Sequence, residues 1–458
     1  MTTVRAGGQT PPMAPGRVPL LGHAWQMKRR PGEFLRSLQS GEPVNTLKLG
    51  PKLMYLVNEP ELVRQVLRDS ETFGRGGPIT ERFRLMFGNG LGISDGEFHR
   101  RQRALIQPAF HHTQVVHYAS LMSRVATEKV SSWQDGQQLD VDQEMDDLAL
   151  RNVTDVIFSG EAALDRGEFM AATTVVLRGL FRRVTDSTGI LTRIPTPANR
   201  RYQAAVNYLR RSINQVIRDY RDGGVDHGDL LSMMMSARDE DGRPAMSDQQ
   251  LRDEVMTFFI AGSNTVSNTL AWAFHELSRA PEVERRLHGE VDQVLAGRPA
   301  GYADMPNLPY TRRVVAETLR RRTQGLFLSR FTTVDAELGG YRIPAGVPVL
   351  YSFYALNLNP DIHPDPERFD PDRWSPERAK AVPKGAFMPF SAGVYNCIGD
   401  QFAWTEMIGT LATVAARWRL VPVPGHEPKA VLAITMPVDA LPMTAHRRGA
   451  EPPPAPPG

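Results

Sequence analysis

The chain of 458 residues is 41% hydrophobic and 23% charged, so it can bury a large core and is not a wholly disordered protein. Its 54 Lys and Arg residues exceed its 51 Asp and Glu residues by three, a surplus too small to predict a nucleic-acid-binding surface. Cys397 is the only cysteine, which excludes an intrachain disulfide framework and a zinc or iron–sulfur site built from several cysteines.

The two ends of the chain differ in composition from its middle. Residues 1–16, rich in Gly, Pro and Thr, are predicted to form a disordered leader, and the Pro-rich residues 447–458 a disordered tail. Residues 17–446 then form a single domain. There is no run of about 20 apolar residues and no secretory core, so we expect a cytoplasmic protein without a transmembrane segment.

A short apolar segment near the N-terminus lies beside a basic cluster. Leu20, Leu21 and Trp25 precede the three cationic residues 28–30. The sequence favours a small apolar plug next to a solvated charge cluster over a peripheral contact with a membrane.

The predicted elements are mostly helices. Alternating apolar positions predict strands over residues 42–58 with a turn at Gly50-Pro51, and helical periodicity then dominates. The predicted helices cover residues 59–69, 97–106, 114–133, 141–159, 166–183, 199–222, 248–279, 281–295, 310–322 and 400–417. Further strands are predicted over residues 325–335, 341–351, 419–423 and 429–436. We therefore expect a mainly α fold with a small β part.

The helix predicted over residues 248–279 has an unusual middle. Ser247 followed by Gln250 predicts a capping box at its start, and about 30 residues give a helix about 45 Å long. Its apolar centre indicates burial, yet it contains the small and polar residues 261–265, which cost stability in a buried helix. Tight packing between helices explains them, and a groove that lets a ligand approach the backbone is the alternative.

Cys397 lies between Gly393 and Gly399, immediately before the last predicted helix. Glycine permits close approach or a positive φ, and a helix N-terminus favours an anionic sulfur. A lone cysteine is usually a small buried apolar residue, but these features suit a thiolate held under a flat cofactor with Phe390 packed beside it. Heme iron needs only one axial ligand from the protein.

The segment 390–399, Phe-Ser-Ala-Gly-Val-Tyr-Asn-Cys-Ile-Gly, resembles the heme-binding loop of the cytochrome P-450 superfamily, Phe-x-x-Gly-x-(Arg/His)-x-Cys-x-Gly. Tyr395 stands at the Arg/His position. Residues 261–265, Ala-Gly-Ser-Asn-Thr, are similar to the family's oxygen-activation motif Ala-Gly-x-(Asp/Glu)-Thr, with Asn264 in place of the acid. His99 and Arg103 resemble the His-x-x-x-Arg pair of bacterial members.

The remaining motifs occur in the order that the family requires. Glu317 and Arg320 resemble its Glu-x-x-Arg helix, and Arg373 lies in a segment resembling the one that completes a Glu–Arg–Arg cluster. The chain is identified as a member of the bacterial soluble cytochrome P-450 superfamily. That resemblance implies the mainly α cytochrome P-450 fold, with heme between the long central helix and the cysteine loop, and a heme-thiolate monooxygenase activity.

The resemblance also assigns roles to residues. It implies heme b with Cys397 as the axial thiolate and O2 as co-substrate. The residues expected to bind the cofactor are Cys397, His99, Arg103, Arg330, Phe390, Gly393, Tyr395, Gly399, Ala261 and Gly262. Of these, His99, Arg103 and Arg330 are candidates for the heme propionates, whereas Tyr395 brings no charge and implies slightly weaker anchoring there. Glu317, Arg320 and Arg373 are expected to be structural.

Three residues are expected to act on oxygen: Thr265, Asn264 and Ser263. The thiolate favours O–O cleavage, which also requires protons. Asn264 cannot titrate, so proton delivery would use Ser263, Thr265 and water, or a polar group of the substrate. The missing acid is also a hint of less usual oxidations such as ring closure or bond coupling.

The family's pocket implies a small, mostly apolar substrate such as a terpenoid. The residues expected to contact it are Phe83, Phe87, Phe181, Phe258, Leu326, Phe327 and Ile434. No flavin or nicotinamide motif is present, and the glycine-rich residues 88–92 are better interpreted as a flexible loop over the pocket than as a dinucleotide loop. Electrons are therefore expected from a ferredoxin or flavodoxin with its NAD(P)H reductase.

Two alternatives stay open from the sequence. One is a heme-binding sensor or carrier without turnover. The other is a non-heme helical scaffold, or an enzyme with terpene-processing activity, that uses carboxylates and magnesium. The densest acidic run, residues 142–147, is better interpreted as an acidic helix face.

Overall fold

The computed structural model describes residues 8–159, 165–185, 194–224, 226–431 and 435–449. It is mainly helical with small sheets, as predicted. The helices are α1 (Ala24–Arg29), α2 (Pro31–Ser37), α3 (Pro60–Arg68), α4 (Gly77–Phe87), α5 (Gly96–Ile106), α6 (His112–Ser132), α7 (Val141–Phe158), α8 (Arg166–Thr185), α9 (Pro197–Gly223), α10 (Leu230–Ser236), α11 (Asp248–Ser278), α12 (Pro281–Leu295), α13 (Pro309–Arg321), α14 (Phe353–Asn357), α15 (Pro376–Ala379) and α16 (Asp400–Arg417).

The strands form three sheets. They are β1 (Val44–Leu49), β2 (Lys52–Val57), β3 (Phe73–Gly74), β4 (Gln137–Asp140), β5 (Leu328–Thr332), β6 (Ala336–Leu338), β7 (Tyr341–Ile343), β8 (Pro348–Tyr351), β9 (Trp418–Pro422) and β10 (Pro442–Arg447). The largest sheet has the order β1-β2-β8-β5-β3, and the others are β4-β10-β9 and β6-β7. In the largest, β1 and β2 form an antiparallel hairpin and β2 runs parallel to β8, so segments far apart in the sequence contribute to it.

The N-terminal segment is ordered over residues 8–16, so the prediction of a disordered leader is wrong for them. The Ala14 N–H donates to the Thr46 carbonyl at 2.9 Å, and the Thr46 N–H donates to the Pro12 carbonyl at 2.7 Å. This extended segment pairs with the edge of β1, and its residue Ala14 is buried there. Residues 1–7 lie outside the described residues.

The C-terminal strand is also displaced from its predicted position. Residues 429–436 do not form a strand where they are described: Ala430 makes an isolated bridge with Val438, and residues 432–434 lie outside the described residues. The edge of β9 is occupied instead by β10, in which Met443 faces Pro422. Strand β10 includes Arg447, the first residue of the predicted tail; residues 450–458 lie outside the described residues.

Helix α11 crosses the fold and packs closely on α7. The Ser247 Oγ caps it by accepting from the Gln250 N–H at 3.2 Å, but the Gln250 side chain donates to Glu254 and to the Asn89 carbonyl, so the predicted capping box is not completed. At Gly262 a Cβ would lie 2.7 Å from Val153 on α7. Tight helix packing therefore accounts for this glycine.

Two carboxylates on α11 hold the glycine-rich residues 88–92. The Asn89 N–H donates to Asp253 at 3.0 Å, and the Leu91 N–H donates to Glu254 at 2.8 Å. At Gly90 a Cβ would come within 2.2 Å of the Thr257 hydroxyl oxygen. This loop is therefore fixed to the central helix by side chains that the sequence pattern did not connect to it.

Two buried carboxyl groups predict that stability falls as pH rises. Burial raises the pKa of Glu406 to about 8 and that of Glu254 to about 7, against 4.5 for an ordinary glutamate. Between pH 4.5, where the unfolded glutamates lose their protons, and the native pKa values of about 7 and about 8, the native state binds more protons than the unfolded state. The free energy of unfolding therefore decreases as pH increases through that window. Glu406→Gln should flatten the pH profile of denaturant unfolding, because it removes one titrating group.

The exposed Glu33 offers a matched control. Glu33→Gln should leave the profile of unfolding free energy against pH as steep as in the wild-type protein, because its side chain is 73% exposed. A Glu406→Gln profile with the wild-type slope would show that Glu406 is ionised in the native protein at neutral pH.

Candidate active site

A cavity of about 380 Å³ lies between α11 and the loop that carries Cys397. Helix α11 contributes Thr257, Phe258, Ala261, Gly262, Thr265, Val266 and Thr269. The loop contributes Met388, Pro389, Phe390, Ser391, Tyr395, Asn396, Cys397, Ile398 and Gly399. The two motifs separated by more than a hundred residues thus face each other across one space, as the resemblance predicts.

Backbone contacts fix the position of the cysteine loop against α3. Gly393 has φ +73°, and a Cβ at this position would lie 2.2 Å from the Leu67 carbonyl oxygen at the end of α3. Only glycine permits this approach. The Cys397 N–H donates to the Phe390 carbonyl at 2.9 Å, which closes the loop immediately before α16.

The Cys397 side chain is exposed to the cavity although protein atoms surround it on the other sides. Burial raises the pKa of its thiol, whereas the Gly399 N–H and the Arg103 guanidinium lower it. Binding of a metal ion displaces the proton of a thiol. The sulfur is therefore placed to ligate a metal at the cavity floor, with a donor beside it that stabilises negative charge.

Arg103 braces the cysteine loop as well as lining the cavity. Its Nη1 and Nη2 donate to the Asn396 carbonyl and the Asn396 Oδ1, both at 2.8 Å. This two-point contact joins α5 to the residue before Cys397. The sequence predicted a propionate contact for Arg103, and the structure adds this second role.

A cationic group surrounds Tyr395 at one edge of the cavity. The Arg75 guanidinium lies 4.3 Å from the Tyr395 ring centroid and that of Arg330 lies 5.0 Å away, while the His99 ring contacts it edge-on at 4.8 Å. The Tyr395 hydroxyl donates to Asp95. Arg75, His99 and Tyr395 line the cavity, whereas Arg330 is buried behind Tyr395.

Arg75 is a functional candidate that the sequence analysis missed. Its side chain donates to the Leu91 carbonyl at 2.7 Å, and burial together with the charge of Arg330 lowers its pKa to about 9. Burial likewise lowers the pKa of His99 to about 4. Within the described residues neither Arg75 nor Arg330 pairs with a carboxylate, so these buried cations suit the acidic edge of a bound group.

Arg75→Gln is expected to weaken heme binding several-fold, because it removes a buried cation from the edge that would receive the propionates. The measurement is the rate of heme transfer from the protein to apomyoglobin. The sequence analysis inferred slightly weaker anchoring from the uncharged Tyr395, but Arg75 and Arg330 already place two guanidinium groups beside its ring, so Tyr395→Arg is expected to give no gain in heme retention. Faster heme loss from Arg285→Gln, an exposed change on α12, than from Arg75→Gln would contradict this assignment.

The predicted structural triad is assembled. Glu317 and Arg320 are fully buried and joined by two hydrogen bonds, Nη2 to Oε1 at 2.8 Å and Nε to Oε2 at 2.9 Å. Arg373 lies 3.5 Å from Glu317. Arg320 also donates to the Asn357 carbonyl at 2.6 Å, which ties α13 to the end of α14.

The three residues predicted to act on oxygen do not share one face. Thr265 lines the cavity, and its Oγ1 donates to the Ala261 carbonyl at 2.8 Å, which leaves its oxygen able to accept from a water. Ser263 is buried away from the cavity and donates to the Phe259 carbonyl at 2.6 Å. Asn264 points toward the C-terminal segment, where its Oδ1 lies 3.4 Å from the Thr435 hydroxyl.

The structure places two of the predicted substrate residues, Phe258 and Phe327, in the cavity wall. Leu326 is packed behind the wall, and the rings of Phe83 and Phe87 pack on the core outside it. The Phe181 side chain and Ile434 lie outside what the structure describes. The wall includes other side chains that the sequence analysis did not name: Leu91, Phe110, Val153, Val156, Ile157, Leu230, Gln324 and Phe402.

The acidic run on α7 is occupied by structural contacts. Lys129 lies 3.1 Å from Glu144 and 2.6 Å from Asp147, and the Trp133 indole donates to Glu144 at 3.0 Å. Among the described residues no group of three or more His, Cys, Asp or Glu side chains could hold a metal ion. The interpretation of the run as an acidic helix face is supported.

Comparisons with known proteins agree with this geometry. Residues 11–438 match the family model of cytochrome P-450. The chain is 44% identical over 415 residues to cyclooctat-9-en-7-ol 5-monooxygenase of Streptomyces melanosporofaciens, covering 90% of each chain. It is 39% identical over 424 residues to pentalenene oxygenase of Streptomyces avermitilis, covering 92% of this chain and 94% of the relative.

A solved structure shows the same fold. The crystal structure of the cytochrome P-450DA heme domain superposes with a TM-score of 0.85 at 27% sequence identity, covering 96% of this chain and 98% of the other. Over the described ranges, no helix is both long and apolar enough to cross a membrane.

A thiol facing a cavity under a long helix, with buried cations at one edge, defines a heme-thiolate oxygenase. The chain belongs to the cytochrome P-450 family. It is a monooxygenase that uses O2 and heme iron ligated by the cysteine thiolate, acts on a small molecule and receives electrons from a redox partner. The residues present fit heme, because the sulfur, the unpaired cations and the cavity between them match its iron, its propionates and its flat ring.

Proposed function

We propose that this monooxygenase oxidises a cyclic terpenoid. The observation that carries the proposal is the cavity wall around Thr265, which is built largely from the apolar side chains of Phe110, Val153, Ile157, Leu230, Phe258 and Phe327. Such a wall binds a hydrocarbon skeleton without leaving polar groups unpaired. The named activities of the relatives, which are reactions on cyclic terpenoids, support the same substrate class.

The residues divide the work as follows. Cys397 would hold the heme iron, the guanidinium groups of Arg103, Arg75 and Arg330 would attract the propionates, and His99, which burial keeps neutral, could only hydrogen-bond to them. When bound, the heme supplies the binding and activation of O2. The Oγ1 of Thr265 can accept a hydrogen bond from a water, because its own proton is donated to the Ala261 carbonyl. Gln324 donates to Thr269 at 3.0 Å and extends this polar strip along the cavity.

The reducing equivalents are proposed to come from a ferredoxin or flavodoxin and its NAD(P)H reductase. The exposed residues Arg100 and Arg101 on α5 and Lys384 are candidates for contacts with an acidic partner. Charge reversal at these positions should lower the rate of heme reduction by the carrier protein.

The test of the substrate class is an optical titration of the ferric protein with a panel of cyclic terpenes, indoles, peptides and fatty acids. Displacement of water by the substrate should shift the Soret band, and only cyclic terpenes should produce the shift at low concentration. Product analysis with a reconstituted electron donor then distinguishes hydroxylation from ring closure. A shift with fatty acids alone would overturn the proposed class.

Asn264→Asp is expected to reduce the hydrogen peroxide released per electron consumed. Asp can pass a proton where Asn cannot, and from its place beside Thr435 it would carry a proton between the C-terminal segment and the neighbouring Thr265. The measurement compares NAD(P)H consumed, product formed and hydrogen peroxide released. Asn264→Ala is the matched control, which removes the amide without adding an acid, and equal peroxide release in all three proteins would contradict a relay at this position.

A further inference from the structure

A turn near the N-terminus presents leucine side chains to solvent. The Val18 N–H donates to the Gly22 carbonyl at 2.9 Å, and the Gly22 N–H donates back to the Val18 carbonyl at 2.8 Å. Leu20 at the tip has φ +63° and is 97% exposed, and Leu21 is 50% exposed. A left-handed conformation is unfavourable for leucine, and burial does not compensate for it here.

The turn is firmly attached to the fold. The Gly50 N–H donates to the Leu21 carbonyl at 3.0 Å, and the His23 N–H donates to the Lys48 carbonyl at 2.6 Å. These bonds join it to the hairpin of β1 and β2. The projection of Leu20 is therefore a feature of the packed structure.

Trp25 on α1 extends the apolar surface. Its side chain is 49% exposed, and the Arg29 guanidinium lies 4.5 Å from the centre of its ring. Leu20, Leu21 and Trp25, hereafter the N-terminal patch, thus face solvent. The sequence analysis interpreted these residues as a small apolar plug, and the structure corrects that interpretation.

The stretch of chain that carries the N-terminal patch contains exposed cations and no acid. Between residues 8 and 32 the exposed charged side chains are Arg17, Lys28, Arg29 and Arg30, and this stretch contains no Asp or Glu. The whole chain is nearly balanced, with 54 basic and 51 acidic residues. The first acid, Glu33, pairs with Arg30 at 3.3 Å. Positive charge is therefore concentrated where the apolar side chains project.

We propose that the N-terminal patch inserts into the interface of a lipid bilayer whose headgroups are anionic. Leucine side chains gain from entering the acyl region, and an indole ring is stable at the level of the headgroups. Arg17, Lys28, Arg29 and Arg30 then lie at the headgroup level, where each cation is attracted to the negative surface. Neutral bilayers offer no such attraction, so the interaction depends on lipid charge.

Residues that flank the N-terminal patch, Ala14 and Met27, pack in an apolar cluster that reaches the wall of the substrate cavity. The N-terminal residues and β1 and β2 share one apolar cluster with Leu326, and Phe327, which lines the cavity, packs against that cluster. If the substrate is apolar, as the proposed function states, this placement brings the cavity wall close to the phase in which the substrate dissolves. Binding to lipid itself does not depend on that proposal.

The test is co-sedimentation of the intact heme protein with vesicles, followed by heme absorbance. Vesicles of phosphatidylcholine with phosphatidylglycerol should sediment the protein, and vesicles of phosphatidylcholine alone should not. The triple variant Leu20→Ser, Leu21→Ser, Trp25→Ser should bind the anionic vesicles at least about tenfold more weakly than the wild-type protein. The variant Lys28→Gln, Arg29→Gln, Arg30→Gln should lose about a hundredfold, since each cation contributes about a factor of five.

Matched controls separate the patch from general surface effects. Val334→Ser removes another exposed apolar side chain, 55% exposed, and Arg243→Gln, Arg285→Gln, Lys380→Gln remove three cations elsewhere. Both controls should bind as the wild-type protein does.

Trp25→Phe should lose the blue shift in tryptophan fluorescence that follows addition of anionic vesicles to the wild-type protein, because the indole of Trp25 enters the interface.

Three outcomes would overturn the proposal. They are no sedimentation with anionic vesicles, equal loss in the control variants, and binding by the wild-type protein that is the same with neutral lipid. Capture of a purified acidic protein by the patch with no affinity for vesicles would assign the surface to a protein partner instead. The optical titration with terpenes should be unchanged in every variant, so a failure of the substrate proposal is visible separately.

Discussion

Cys397→Ser is expected to abolish monooxygenase activity and to remove the red-shifted Soret band that thiolate ligation gives the reduced carbon monoxide complex. Serine has nearly the same shape, and the backbone bond from residue 397 to the Phe390 carbonyl does not involve the side chain. The fold should therefore survive while the electron-donating ligand is lost. Turnover, the reduced carbon monoxide spectrum and far-ultraviolet circular dichroism together make the measurement.

Val394→Ser is the control within the same loop. Its side chain is exposed and does not line the cavity, so both the spectrum and turnover should stay near those of the wild-type protein. An unchanged carbon monoxide spectrum in Cys397→Ser would mean that the iron is held by another residue, and the assignment of the site would then be wrong.

Arg320→Gln is expected to destabilise the protein by about 3–5 kcal/mol, because the buried Glu317 carboxylate then loses its principal partner. The loss also breaks the bond from Arg320 to the Asn357 carbonyl. The measurements are the free energy of denaturant unfolding and the heme content of the purified protein. Protein that folds normally but works slowly would contradict a structural role.

A matched pair and a double variant sharpen this test. Arg285 and Glu282 form an ion pair with the same spacing on α12, but both side chains are more than two-thirds exposed, so Arg285→Gln should change the unfolding free energy by less than about 1 kcal/mol. Glu317→Gln combined with Arg320→Gln should cost less than the sum of the two single changes, since each single change leaves the other member of this pair as a buried charge without its partner, and the double variant removes both.

The sequence was sufficient for features carried by short, contiguous motifs. Glu317 and Arg320 stand one helical turn apart, so their contact follows from spacing alone, and the glycines around Cys397 indicate the constrained loop directly. The long central helix was also predictable from its apolar length. In each case the residues that define the feature are neighbours in sequence.

Features assembled from distant segments were not predictable in this way. Arg75 follows a two-residue strand and is flanked by Gly74 and Gly76, a pattern that does not indicate burial. Its position depends on Leu91, Arg330 and Tyr395, which belong to three other parts of the chain. The small, polar residues of α11 suggested one shared role, but helix geometry turns Ser263 away from the face of Thr265. The exposure of the Leu20 side chain depends on a turn closed by backbone hydrogen bonds, which cannot be read from the residue types in the sequence.

The contact between the cysteine loop and α3 constrains when the cofactor can bind. Gly393 rests against the Leu67 carbonyl, so the loop reaches its final shape only when an early and a late part of the chain have met. A nascent chain whose residues 390–399 are still within the ribosome does not yet expose the sulfur and cannot form this contact. Capture of the prosthetic group therefore waits until the segment that carries Cys397 has left the ribosome, and cells that make the protein faster than they make porphyrin should accumulate an unloaded form.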